Sequence, residues 1–154
     1  MSFALDVFGD KWTLLIVRDL LFKSKIYFSD FIESEEGIAT NILTDRLRTL
    51  ESAGIVTKRA DPSQKTKIIY SLTPKGMDLL PVLIEIILWS AKYDPKTATP
   101  EEFVAEALSN RDGLIREVRA SHNKNRPRPS SALAPRAARN ARHGSGHSGP
   151  SRRR

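Results

Sequence analysis

The stretch GIATNILTDRLRTLESAGIV, residues 37–56, limits the fold more than any other part of the chain. Ile42, Leu43, Leu47, Leu50 and Ala53 recur at helical spacing and define one apolar stripe. Gly54 stands where a helix C-terminus needs a residue at ease with positive φ. Gly37 stops the preceding element, Ile38 and Ala39 make a tight turn, and Thr40 carries a side chain suited to an N-cap. The helix so bounded has short polar or basic residues opposite its stripe, and what those residues meet is the functional question.

The flanking segments supply the rest of a pattern. Phe3, Ala4, Val7 and Phe8 predict a short helix over 2–8, ended by Gly9. Trp12, Leu15, Ile16 and Leu20 give a second helix, 11–22, a wide apolar face. Ser29 is the expected N-cap of a short helix through Glu36, with Phe28, Phe31 and Ile32 turned inward. After Gly54, IVTKRA and KIIYSLT predict two strands, with Ile68, Tyr70 and Leu72 sharing a face of the second. DPSQKT between them is a polar loop. Two helices, a third across a tight turn, then a hairpin with a basic tip is the order of a winged helix.

Thr73 and Pro74 open a further helix predicted to reach about Tyr93. From Leu79 to Trp89, nine of eleven residues are apolar. Such a helix needs cover on more than one side, and a second subunit is the natural cover; the alternative is a helix at the centre of a monomeric core. The run is interrupted by Pro81 and Glu85 and is shorter than the ~20 residues of a membrane span. Thr99 as cap, Pro100 in first position and Glu102 as capping-box partner predict another helix. NRDG, residues 110–113, is expected to break it, with a last turn or two from Leu114 to Ala120. Three segments result: a winged-helix domain, 1–94; an added helical segment, 95–122; and a tail, 123–154.

Charge separates tail from body. The chain carries a formal net charge of +7, but 123–154 holds nine Lys or Arg and no Asp or Glu, so the body is slightly acidic. Any basic nucleic-acid patch on the body must therefore be local. The tail is rich in Arg, Pro, Ser, Gly and Ala and poor in large apolar side chains, a composition expected to stay disordered. It is either a nonspecific polycation for DNA or RNA or an inert extension. The chain has no cysteine, which excludes thiolate metal sites, cysteine nucleophiles and thiol redox sensing. Its three histidines, His122, His143 and His147, lie at or beyond the edge of the predicted fold, so no metal site and no cofactor are expected. With no clustered carboxylates and no Gly-rich phosphate loop, an enzyme is the weakest reading. No signal peptide is evident, and a cytoplasmic protein, at the nucleoid when bound to DNA, is expected.

The wording of the chain resembles the HxlR family of bacterial winged helix-turn-helix transcription regulators, within the MarR-like superfamily. The phrases that carry the likeness are ALDVFGDKWTLLIVRDLLF, FSDF, GIATNILTDRLRTLESAGIVTKR and YSLTPKGMDLLPVL, which fall within residues 4–93 in the family's order. The resemblance implies a mainly α fold with a small β-hairpin and a homodimer built from the N-terminal helix and the long helix after the wing. It also implies an operator DNA ligand, with helix 40–53 in the major groove and the wing, about 55–72, on the backbone or minor groove. Many members carry a cysteine ahead of the first helix, and some sense oxidants or electrophiles with it; that mechanism does not carry over. The resemblance is largely silent beyond Tyr93.

On this reading the DNA-contacting candidates are Thr40, Asn41, Thr44 and Arg48 on the helix, and Arg59, Lys65 and Lys67 on the wing. Asn can satisfy an adenine edge with two hydrogen bonds, Thr can set its methyl against thymine, and Arg can fork onto guanine or a phosphate. Lysines at a wing tip meet phosphates, which add salt-dependent affinity without reading sequence. The alternatives are a merely solvated helix face and an ordinary charged hairpin. Lys58 ends the same strand, and Lys23 and Lys25 are weaker phosphate candidates. Asp45 is expected to turn aside or pair with a basic neighbour, and Arg46 to pair with an acid. Trp12 and Trp89 are expected in the core rather than in a ligand pocket. A small effector, if one binds, would sit between the dimer helices. Two other functions compete: a nonspecific nucleic-acid-binding protein driven by the tail, and a winged-helix protein-interaction module. The DNA site of a two-fold dimer would be an inverted repeat.

Overall fold

The computed structural model describes residues 2–125. Eight helices and one hairpin follow in order: α1 (Ser2–Phe8), α2 (Lys11–Phe22), α3 (Phe28–Ile32), α4 (Thr40–Ser52), β1 (Val56–Ala60), β2 (Ile68–Leu72), α5 (Pro74–Met77), α6 (Leu80–Tyr93), α7 (Glu101–Ser109) and α8 (Arg111–Asn125). The core forms where α2, α4, the hairpin and α6 converge. Val17, Leu43, Leu50, Leu72, Leu80 and Ile84 are wholly buried there, with Phe31 set edge-on against Tyr70. The apolar periodicity of α2 and α4 places these side chains, so the mainly helical winged fold expected from the sequence is the one observed.

Local chemistry accounts for most boundaries. Asp10 caps α2, accepting from the amides of Trp12 and Thr13 at 2.9 and 3.1 Å and from the Thr13 hydroxyl at 2.5 Å. Gly37 and Gly54, on either side of α4, take φ of 65° and 68°, the left-handed region that other residues avoid. α3 begins at Phe28 rather than after Ser29. The Asp30 carboxylate reaches back to the amides of Ile26 and Tyr27, at 2.9 and 2.8 Å, and satisfies the helix start in place of Ser29. α3 also stops at Ile32, well short of Glu36. Ala39, extended at φ −71° and ψ 144°, is the residue before α4, and Thr40 is its first helical residue instead of its cap.

The hairpin is antiparallel, with Val56 opposite Leu72 and Arg59 opposite Ile69. Tyr27 bridges to Ile69 on the other side of β2, and the Tyr70 amide donates to the Ile26 carbonyl at 2.8 Å. β2 thus has a neighbour along each edge. Tyr70 and Leu72 turn to the core, but Ile68 is 38% exposed near the loop while Ile69 is 3% exposed, buried outside the main cluster.

The helix expected from Pro74 to Tyr93 is two helices. Pro81 has no amide hydrogen to offer the Met77 carbonyl one turn back, so the helical ladder breaks at Asp78 and Leu79. Arg119 of α8 lies over this break, its guanidinium 3.4 Å from the Met77 carbonyl and 3.0 Å from the Asp78 carboxylate. α7 begins at Glu101 after Pro100, and no side chain caps it, so the expected Thr99–Glu102 capping box is not formed. The Thr99 hydroxyl pairs with that of Thr97 instead, at 3.0 Å. The break at Asn110 is present, but α8 is far longer than a turn or two. Leu114, Ile115 and Val118 seat it on the core, and Arg111 pairs with Glu85 of α6. α8 continues to Asn125, three residues into the segment read as tail; the remainder of that tail, 126–154, lies outside the described residues. Among the described residues, no helix is long and apolar enough to cross a membrane.

Candidate nucleic-acid interface

α4 buries Leu43, Leu47 and Leu50 and leaves Thr40, Asn41, Thr44, Asp45 and Arg48 exposed. The period of the helix alone separates the two faces. The Thr44 hydroxyl donates to the Thr40 carbonyl at 2.8 Å, and the Thr49 hydroxyl to the Asp45 carbonyl at 3.1 Å. These bonds hold the threonine rotamers, and Thr44 keeps acceptor capacity on its oxygen.

Arg46 is taken out of this face. Its guanidinium lies 3.3 Å from the Asp10 carboxylate that caps α2 and 3.3 Å from Asp45. Partial burial works against the charge of Asp10, but hydrogen bonds from Thr13 and Trp12 and the nearby Arg46 hold its carboxyl below the usual range. One arginine therefore ties the start of α2 to the middle of α4, and Asp45 has the basic neighbour expected for it.

The wing is built on a buried carboxylate. Asp61 accepts from the Tyr27 phenol at 2.6 Å and from the amide and hydroxyl of Ser63 at 2.7 Å each. These donors depress its pKa to about 2, the phenol contributing most. The same bond pushes the Tyr27 phenol up. Two backbone bonds close the loop, Asp61 to the Lys67 carbonyl at 2.9 Å and Lys67 to the Gln64 carbonyl at 2.8 Å. Lys65 and Lys67 are exposed at the tip, and the Lys67 ammonium stands 5.0 Å over the Tyr27 ring. Arg59 differs from them. It sits half-buried in the body of the hairpin, with Nη2 enclosed and unbonded. Lys58 pairs with Glu51 of α4 at 2.8 Å, which raises its pKa.

A cluster that motif reading missed lies behind α4. Asp19 is 2% exposed in the middle of α2 and binds Arg18 at 2.5 Å and Lys25 at 3.0 Å. Ser34 bridges them, receiving the Lys25 proton at 2.5 Å and donating to Asp19 at 3.1 Å. Arg18 continues to Glu36 at 2.6 Å, in the turn that precedes α4. Burial opposes ionisation of Asp19, but the hydrogen bonds from Lys25 and Arg18 hold its pKa down. The signal in the sequence is an acid within the apolar run TLLIVRDLLF. Lys25 is thereby engaged inside the fold, while Lys23 is exposed.

Comparison with known proteins identifies the family. The profile of the HxlR-like helix-turn-helix family matches residues 7–98. The uncharacterised HTH-type transcriptional regulator YvaP of Bacillus subtilis (strain 168) is 37% identical over 93 residues, which span 60% of this chain and 85% of YvaP. The crystal structure of PA1607 superposes with a TM-score of 0.57 at 39% identity, covering 62% of this chain and 67% of that one. The reduced form of the transcriptional regulator YodB from B. subtilis superposes with a TM-score of 0.51 at 30% identity, covering 63% and 94%. The chain belongs to the HxlR-like helix-turn-helix family and is a transcriptional regulator with a helix-turn-helix DNA-binding domain.

Proposed function

We propose that the protein acts as a homodimer that binds operator DNA sequence-specifically, with α4 in the major groove and the wing on the backbone or minor groove. One observation carries this reading. The exposed face of α4 keeps Thr40, Asn41, Thr44 and Arg48 accessible, while neighbouring cations with acidic partners, Arg46 and Lys58, are held by Asp10 and Glu51. Side chains suited to base edges are thus presented, and two nearby side chains that would bind any phosphate are occupied. Lys65 and Lys67 supply phosphate contacts from the wing, and Arg59, being half-buried, is the least accessible of the candidates.

The homodimer rests on exposed apolar side chains. Val82, Ile86, Trp89 and Tyr93 form one stripe along α6, and Trp89 is 66% exposed. The core position expected for Trp89 is therefore overturned: α6 buries Leu80, Leu83 and Ile84 on another side and leaves Trp89 outside the core. Phe3 and Leu5 of α1 are exposed as well. An apolar stripe of this extent is a surface for a partner, and two-fold pairing with a second copy is the commonest solution. A small effector between the paired helices remains part of the proposal. Structures of YodB include reduced and quinone-bound forms, but the 154 residues here have no thiol with which to sense either.

The test is selection of bound sequences from a random DNA pool, followed by footprinting. The expected result is an inverted repeat protected in two half-sites. Equal affinity for every sequence would overturn the proposal in favour of nonspecific binding, and no binding at low salt would favour a protein-interaction module.

A further inference from the structure

An apolar cleft of about 240 Å³ lies between α1, the exit of α4 and the break before α6. Phe3, Ala4, Val7 and Phe8 of α1 line it together with the buried Ile55 and with Leu79. Among the described residues that line it, Lys75 alone is charged. The Lys75 ammonium donates to the carbonyl of Ala53, the C-cap of α4, at 2.7 Å and stands 5.5 Å from the Phe3 ring. It has no carboxylate partner among the described residues, and an ammonium has three protons to give, so donor capacity is left over. Its helix is fixed to α4. The Thr73 hydroxyl donates to the Gly54 carbonyl at 2.6 Å, and Gly76 lies so close to Ile55 that an added Cβ would meet the Ile55 carbonyl at 2.3 Å.

We infer that this cleft is a binding site for a small aromatic carboxylate of one ring. Each part of that description has its own cause. The charge follows from Lys75, a cation with spare donors beside an otherwise apolar lining, where a carboxylate completes a charge-assisted hydrogen bond. The ring follows from Phe3 and Phe8, whose edges and faces pack best against another aromatic. The size follows from the volume: a cavity of about 150 Å³ holds benzene, so about 240 Å³ takes one ring with its carboxyl group. The site lies within one chain and is separate from any effector held between paired helices. The bound anion would share Lys75 with the carbonyl that closes α4, one contact away from the helix proposed above to read DNA. Its role as an effector rests on that proposal; its role as a ligand site does not.

The probes are benzoate and benzamide, which share a shape and differ in charge, titrated into the full-length chain by ligand-observed NMR. Benzoate is expected to bind about tenfold or more tightly than benzamide. Lys75→Met, which keeps the length of the stem, should remove that difference. Ala4→Phe fills the cleft and should abolish binding of both, with an unchanged circular dichroism spectrum. No benzoate binding at millimolar concentration, or equal binding of benzoate to wild type and Lys75→Met, would overturn the site. Should Ala4→Phe fail to fold, the Lys75→Met comparison still decides, because Lys75 is exposed and outside the core. The effector role has its own readout. Operator affinity with saturating benzoate is expected to change about fivefold or more in wild type and to stay the same in Lys75→Met. An unchanged wild-type affinity would overturn the effector role while the ligand site stands. A chain that binds no operator even without benzoate would overturn the DNA reading instead.

Discussion

The phenol of Tyr27 donates a 2.6 Å hydrogen bond to the carboxylate of Asp61, joining the residue before α3 to the start of the wing. Asp61 in turn holds Ser63 by two bonds, so the conformation of the loop bearing Lys65 depends on one side chain from outside the hairpin. The Tyr27 ring also lies beneath the Lys67 ammonium. Tyr27→Phe keeps the ring and removes the hydroxyl. DNA affinity is expected to fall about threefold to tenfold, mainly through the wing, with the helix content unchanged. Filter-binding or anisotropy titration of the variant measures this, and wild-type affinity would show that the wing holds its shape without the bond.

Acid should loosen the wing late. The folded Asp61 carboxyl titrates at about 2, below its unfolded value of about 3.9. A depressed carboxylate pKa contributes stability that is complete above the unfolded value and is lost as pH falls toward the folded one. Asp10, Asp19 and Glu36 are shifted in the same direction, so they add to the same window. The melting temperature is expected to be flat from neutral pH to about 5 and to drop steeply from about 4 to 2. Asp61→Asn should flatten part of that drop, and a differential scanning fluorimetry series in pH decides it.

Asn41 and Lys65 should fail in different ways. Asn41→Ala is expected to cost about 1–3 kcal/mol on the best operator and to relax preference at one position of each half-site. Lys65→Ala should weaken binding to operator and random DNA alike and lower the salt slope by about one. Affinities on operator, single-base variants and random DNA across salt concentrations separate the two. The same uniform loss for both variants would mean that α4 is positioned near the backbone without reading bases.

Ile86→Glu should give a folded monomer. Ile86 is exposed in the single chain, so the charge meets water there and is buried without a partner only on dimerisation. The dimer is expected to weaken by at least about 2 kcal/mol, with operator affinity reduced accordingly. Sedimentation equilibrium across concentration is the measurement, and a variant as dimeric as wild type would place the interface elsewhere.

Asp19 links α2 to the turn before α4. Asp19→Ala leaves Arg18 and Lys25 without their shared carboxylate, and removal of one partner from such a buried cluster costs about 3–5 kcal/mol. Asp19→Asn should cost less, because the amide oxygen still accepts from Ser34 or Lys25. Urea denaturation of both variants checks the order.

Residues 37–56 alone determined that α4 exists, where its glycines lie and which of its faces is polar. The period of an α-helix and the φ demanded at Gly54 are local properties, set within a few residues of chain. The same holds for the order of two helices, a turn, a helix and a hairpin. Pairs distant in sequence were a different matter. Nothing near Arg46 specifies Asp10 as its partner, nothing near Tyr27 specifies Asp61, and Asp19 is an anomaly in its helix until Lys25, Ser34 and Arg18 close around it. The exposure of Ile68 and the burial of Ile69 turned on what packs over each end and face of β2, and the exposure of Trp89 on which side of α6 the core covers. Burial and ion pairing are properties of surfaces brought together from separate elements, so only the packed tertiary structure decides them.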